Sequence, residues 1–82
     1  MKHVHFQPQG VCSRAIDFDL ADDGTLHAVR FTGGCSGNLS AIAKLTEGKD
    51  ARGIASLLAG NRCGGNTTSC ADQLSQAIFQ NL

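Results

Sequence analysis

Apolar and polar positions alternate along the first third of the chain. Val4 and Phe6 share one side of the segment His3 to Gln7, which predicts a short strand ended by Pro8-Gln9-Gly10. Between Cys12 and Ala21, Ile16, Phe18 and Leu20 alternate with Asp17 and Asp19, the pattern of a strand with one buried face. Asp23-Gly24 suits a two-residue type I′ turn, which needs positive φ at both central positions. Thr25 to Gly33 then reads as the returning strand.

A two-residue loop fixes the register of that hairpin. It pairs Leu20 with His27, Phe18 with Val29 and Ile16 with Phe31 on the apolar face, and Asp17 with Arg30 on the other. A slip of one residue would set Ile16 against Arg30, a poorer match. Carried outward, the favoured register sets Cys12 opposite Cys35 on the apolar face.

After Gly37 the spacing becomes helical. Leu39, Ile42, Ala43 and Leu45 predict a first helix, with Asn38 as cap and Gly48 as stop. Asp50 caps a second, whose buried stripe is Ile54, Leu57 and Leu58, and Gly60 ends it. Gly53 within it costs about 1 kcal/mol relative to Ala. Ser69 with Asp72 resembles a capping box for a third helix, whose inner face is Leu74, Ala77, Ile78 and Leu82. Strands first and helices afterwards predict one α+β domain over residues 1–82. Its sheet is a small antiparallel three-stranded meander with a central β-hairpin, followed by two to three helices packed on one face.

Composition adds a stability problem. The 82 residues include no Trp, no Tyr and four Phe, so the core is aliphatic, and cores of this size are often reinforced by a metal or disulfides. Seven basic residues balance seven acidic ones, with three histidines besides. No basic surplus points to nucleic acid. No apolar run approaches membrane-spanning length, so no membrane partner is expected. The first ten residues hold no signal-peptide core, and the expected location is cytoplasmic, where thiols stay reduced.

The four cysteines therefore carry the candidate chemistry. Cys12, Cys35, Cys63 and Cys70 are separated by 23, 28 and 7 residues, with no Cys-x-x-Cys knuckle. The predicted topology brings Cys12 to Cys35 across the hairpin and Cys63 to Cys70 across one loop. Four thiolates so placed suit Zn²⁺, with Arg14 and Arg62 beside them to offset the negative charge. Two alternatives stand beside metal ligation. Buried cysteines act as small hydrophobes, and Cys35 and Cys70 at helix N-termini suit a redox or nucleophilic thiol.

The glycine loops Gly33 to Asn38 and Cys63 to Ser69 either turn the chain tightly around a sulfur or offer N–H groups to an anion, for which Arg62 is the candidate cation. His3 and His5 share a solvated strand face, and His27 lies at the core margin. Asp17, Asp19, Asp22 and Asp23 read as a solvated face and turn.

Four runs carry a family resemblance: Gly10-Val11-Cys12-Ser13, Phe31 to Leu39 around Gly33-Gly34-Cys35, Arg62-Cys63-Gly64-Gly65, and Thr68-Ser69-Cys70-Ala71-Asp72-Gln73-Leu74. Together they resemble the TSCPD domain family in its short stand-alone form. Ala71 and Ser36 stand where the family commonly has Pro, a residue favoured but dispensable near helix starts. The resemblance implies that the four cysteines ligate a metal. It also implies a link to ribonucleotide reduction, because the domain occurs near the C-terminus of cobalamin-dependent ribonucleotide reductases. A label of ribonucleoside-diphosphate reductase goes with the family, yet 82 residues are too few to house that reaction alone. The leading expectation is a zinc-binding accessory or interaction module with a ribonucleotide reductase or another protein as partner. The alternative is a thiol-redox protein relaying electrons through a pair such as Cys63 and Cys70.

Overall fold

A computed structural model describes residues 1–34, 36–62 and 68–82. Among these, strands β1 (Lys2–Phe6), β2 (Ser13–Leu20) and β3 (Leu26–Gly33) precede helices α1 (Ser36–Thr46), α2 (Ala51–Leu58) and α3 (Cys70–Gln80). The sheet is antiparallel in the order β1-β2-β3, an α+β meander. Val4 faces Phe18 and Phe6 faces Ile16 across β1 and β2, so alternation sends one apolar row to a single side. That row meets Leu74, Ala77 and Ile78 of α3 and Ala51 and Ala55 of α2 in one core. α1 lies against β3. No helix among the described residues is long and apolar enough to cross a membrane.

The middle of the hairpin keeps the expected register, with Ile16 opposite Phe31 and Asp17 opposite Arg30. Its two ends do not. At the turn, Gly24 donates its N–H to Ala21 O at 2.9 Å and Ala21 donates to Thr25 O at 3.0 Å. The loop is therefore Asp22-Asp23-Gly24, three residues long, with Gly24 left-handed at φ +86°. The extra loop residue sets Leu20 opposite Leu26 and Asp19 opposite His27, instead of Leu20 opposite His27. A bulge between Asp17 and Asp19 restores the register. Ala28, at φ +54°, marks it on β3, so Phe18 meets a bulge rather than a simple pairing with Val29. Glu47 holds that irregular backbone by accepting the Ala28 N–H at 2.8 Å.

A second shift lies between Ser13 and Ala15 and sets Ser13 opposite Gly33. It reverses the facing of the strand end. Arg14 points to solvent and Ser13 is buried, although Ile16, Phe18 and Leu20 alone would turn residue 14 inward. Cys12 accordingly precedes the strand, is exposed, and lies beside Gly34. The expected partner, Cys35, lies outside the described residues.

Three helical details also differ from expectation. α1 starts at Ser36, so Asn38 is inside the helix rather than its cap. Leu45 and Leu57 are exposed, at 73% and 77%, and Leu82 is exposed as well. α2 instead buries Ala51 and Ala55, while Ile54 and Leu58 pack at the core margin. Small residues win there because α2 and α3 approach closely, with Ser75 Oγ donating to Ala55 O at 2.7 Å. Asp50 caps α2 as expected, accepting the Gly53 N–H at 2.8 Å.

Candidate metal centre

The open end of the hairpin and the start of α3 meet at a pair of thiols. Ser69 caps α3 by accepting the Asp72 N–H at 3.1 Å, which places Cys70 as the first helical residue. Cys70 is 9% exposed, and its Sγ lies 3.9 Å from Sγ of exposed Cys12. Both are free thiols. The Cys12–Cys70 contact joins residues 58 apart in sequence, where the hairpin topology had paired Cys12 with Cys35 and Cys63 with Cys70. Cys35 and Cys63 lie outside the described residues, and so does the proposed Cys63–Cys70 relay.

A cleft of about 200 Å³ opens over the two sulfurs, lined by Cys12, Leu39, Ile42, Arg62, Ser69 and Cys70 among others. Two other depressions, of about 330 and 370 Å³, run along β3 and α1 and contain neither described cysteine. The residues preceding the remaining cysteines come to the same place. Arg62 lines the cleft, and Gly34 is packed so tightly that an added Cβ would lie 3.1 Å from Cys12 Sγ, 2.9 Å from Leu39 Cδ1 and 3.3 Å from Ser13 N. With φ at +78°, Gly34 is required on both conformational and steric grounds. Within the first glycine loop, Gly34 thus packs against the sulfur of Cys12, while the loop's own Cys35 lies outside the described residues. The second loop falls mostly on residues outside the described set.

Ser13 is the residue that the sequence pattern concealed. The residue is 3% exposed, and its Oγ lies 3.2 Å from Cys70 Sγ. Among the described residues, the polar side chain within hydrogen-bond reach of a sulfur is this hydroxyl, with either atom able to donate, rather than Arg14 or Arg62, both of which are exposed. Its adjacency to Cys12 was a signal, but only the bulge at Arg14 turns it inward.

The start of α3 is braced by Asp72. Thr68 Oγ1 donates to Asp72 Oδ2 at 2.6 Å, the Gly60 N–H to Oδ1 at 2.7 Å, and Gln76 Nε2 to Oδ2 at 3.0 Å. The Thr68 hydroxyl first, then the Gly60 amide, hold this carboxyl below the usual carboxylate range against the opposing effect of burial. The capping box is thus half formed: Ser69 accepts from Asp72, but the Asp72 carboxylate ties α3 to the end of α2 instead. Gln73 extends the brace by donating to Thr68 Oγ1 at 3.0 Å and accepting the Gln9 N–H at 3.0 Å.

The histidines form a separate, outward-facing group. His3 Nδ1 lies 2.8 Å from Asp19 Oδ1, and His5 Nδ1 lies 2.7 Å from Asp17 Oδ1. His27 sits between Thr25 Oγ1 and Glu47 Oε2. Asp17 and Asp19 are therefore partnered rather than merely solvated. No group of three or more His, Cys, Asp or Glu among the described residues is arranged to hold a metal.

The donor chemistry of the thiol pair nevertheless fits a structural thiolate site. The sulfur separation of 3.9 Å exceeds the ~2.05 Å of a disulfide. It is close to the edge of about 3.8 Å implied by tetrahedral zinc–sulfur bonds near 2.3 Å. The TSCPD domain model matches residues 2–82. Neither curated proteins nor solved structures gave a match to the chain.

Proposed function

The chain belongs to the TSCPD domain family, and on that premise we propose that Cys12, Cys35, Cys63 and Cys70 together bind one zinc ion. The domain serves as an accessory or interaction module, and family membership suggests ribonucleotide reduction as its setting. The observation that carries the metal reading is the 3.9 Å approach of Cys12 and Cys70 sulfurs from opposite ends of the chain. Gly34 and Arg62, each one residue before another cysteine, support it by bordering the same thiols.

Bound zinc would supply a cross-link with no redox chemistry of its own. The chain's residues account for the rest. Cys12 holds the open end of the hairpin and Cys70 holds the start of α3, so a shared ion staples sheet to helix. Ser13 orients Cys70 and donates to its thiolate, and Gly34 keeps space for the Cys12 sulfur. No catalytic residue is assigned, and the partner is a protein, with a ribonucleotide reductase the first to test.

Intact mass of untagged protein under native and then denaturing conditions tests this directly. One zinc per chain, lost on acidification as four alkylatable thiols appear, is the expected result. A metal-free native mass with four free thiols would overturn the metal reading.

A further inference from the structure

Cys12 and Cys70 differ in access as much as they agree in position. Cys12 is exposed, whereas Cys70 is buried at the first position of α3, with Ser13 Oγ 3.2 Å from its sulfur. At 3.9 Å the two sulfurs are in contact, with no room for solvent between them. An accessible thiol in contact with a protected one suits intramolecular thiol–disulfide exchange, because a mixed disulfide formed at the first lies within reach of the second thiolate.

We propose that Cys12 is a site of S-thiolation and that Cys70 resolves it, closing a Cys12–Cys70 disulfide. The oxidant is a small-molecule disulfide such as glutathione disulfide. The Cys12 thiolate attacks one of its sulfurs, forming a mixed disulfide and releasing one small thiol. The Cys70 thiolate then attacks the Cys12 sulfur, the bond to the small molecule breaks, and a second small thiol leaves. Two electrons pass from the cysteine pair to the small-molecule disulfide, and the two cysteine protons end on the released thiols. Ser13 positions the Cys70 sulfur for this attack and makes no bond in the exchange.

The control of this step rests on the zinc reading, but the exchange itself does not. When both sulfurs are held by zinc, neither is free to attack, and once the disulfide has formed neither can ligate. Occupancy by metal and oxidation are mutually exclusive states of one pair.

The test treats the full chain with glutathione disulfide, with and without prior chelation, and follows intact mass and the map of linked peptides. In the chelated protein we expect loss of two hydrogens and a peptide linking Cys12 to Cys70. Cys70→Ser should accumulate one glutathione on Cys12, and Cys12→Ser should leave Cys70 unmodified over the same interval. The zinc-loaded protein should react at least about tenfold more slowly, since the free thiolate is the nucleophile. A link that leaves Cys12 or Cys70 free, or glutathione that remains on Cys12 in the unsubstituted chain, would overturn the proposal. The link formed in a protein that binds no zinc removes the metal control and leaves the exchange pair standing. Zinc bound without any such link on chelation and oxidation defeats the exchange pair and leaves the metal reading standing.

Discussion

At the turn end of the β2–β3 hairpin, the Leu26 N–H bonds to Lys49 O at 2.8 Å, the Gly48 N–H to Leu26 O at 2.7 Å, and the Ala51 N–H to Gly24 O at 2.8 Å. Carboxylates complete that end: Asp50 caps α2, Asp23 accepts from Thr25, and Glu47 accepts from Ala28 and meets His27. At the open end, Cys12, Ser13, Gly34 and Cys70 meet through a hydroxyl and two sulfurs, under a cleft. The first end is satisfied by main-chain bonds and carboxylates. The second brings together thiols from distant segments whose mutual attraction is weak, so a metal has far more to contribute there.

Chelation should break the symmetry of the two ends most strongly. With free zinc about a thousandfold above its Kd, bound metal contributes about 4 kcal/mol, which for a chain of this size moves Tm by roughly 15–30 °C. Thermal melts with and without chelator read this, and hydrogen exchange locates it. Protection should fall at Ser13 and Gln73 while Leu26, Gly48 and Ala51 keep theirs.

A matched pair of glycine substitutions comes next. Gly34→Ala meets both a left-handed backbone and three close atoms, and should cost about 3 kcal/mol with a weakened zinc affinity. Gly24→Ala meets only the backbone term, since its nearest neighbour, Asp50 Oδ1, is 4.0 Å away, and should cost about 1 kcal/mol with zinc affinity unchanged. Equal losses in chemical denaturation would erase the distinction between the two ends.

Asp72→Asn should cost about 2 kcal/mol by weakening charge-assisted bonds to Thr68, Gly60 and Gln76. Because the folded carboxyl titrates below its unfolded value, its contribution is complete above the unfolded pKa near 4 and fades as pH falls through the lower, folded one. Melting from pH 6 down to pH 2 should therefore show a steeper loss in the unsubstituted protein than in Asp72→Asn. The smallest effect belongs to Asp50→Ala at the turn end, about 1 kcal/mol for loss of the α2 cap, read from denaturant midpoints with zinc stoichiometry unaltered.

Much of the fold was legible because alternation and helical spacing are dictated by burial. Asp17–Arg30 and Ile16–Phe31 paired as read, since one apolar face and one charge pair select a single register. The ends of the hairpin were not legible. Asp-Gly suits a three-residue loop with a left-handed glycine as well as a two-residue turn, and Ala28 at φ +54° carries no pattern signal. In α2 the pattern favoured large Leu57 over small Ala51 and Ala55, because close helix approach is a property of two elements and not of one. The cysteines stood out as the residues to explain because nothing else in the chain carries comparable chemistry. The contact of Cys12 with Cys70 was not legible, because it depends on the Arg14 bulge and on the return of α3, while the expected pairings with Cys35 and Cys63 fall on residues outside the described set.

The 58-residue separation between the touching sulfurs also sets an order of events during synthesis. At about 5–20 residues per second, Cys12 is made roughly 3–12 s before Cys70. Both strands of the hairpin can pair in that interval, since neither needs α3 for its hydrogen bonds. The thiol at the strand's edge then waits without the neighbour that would hold or resolve it. A nascent chain is thus most open to lasting modification at Cys12, and emergence of the last helix ends that exposure.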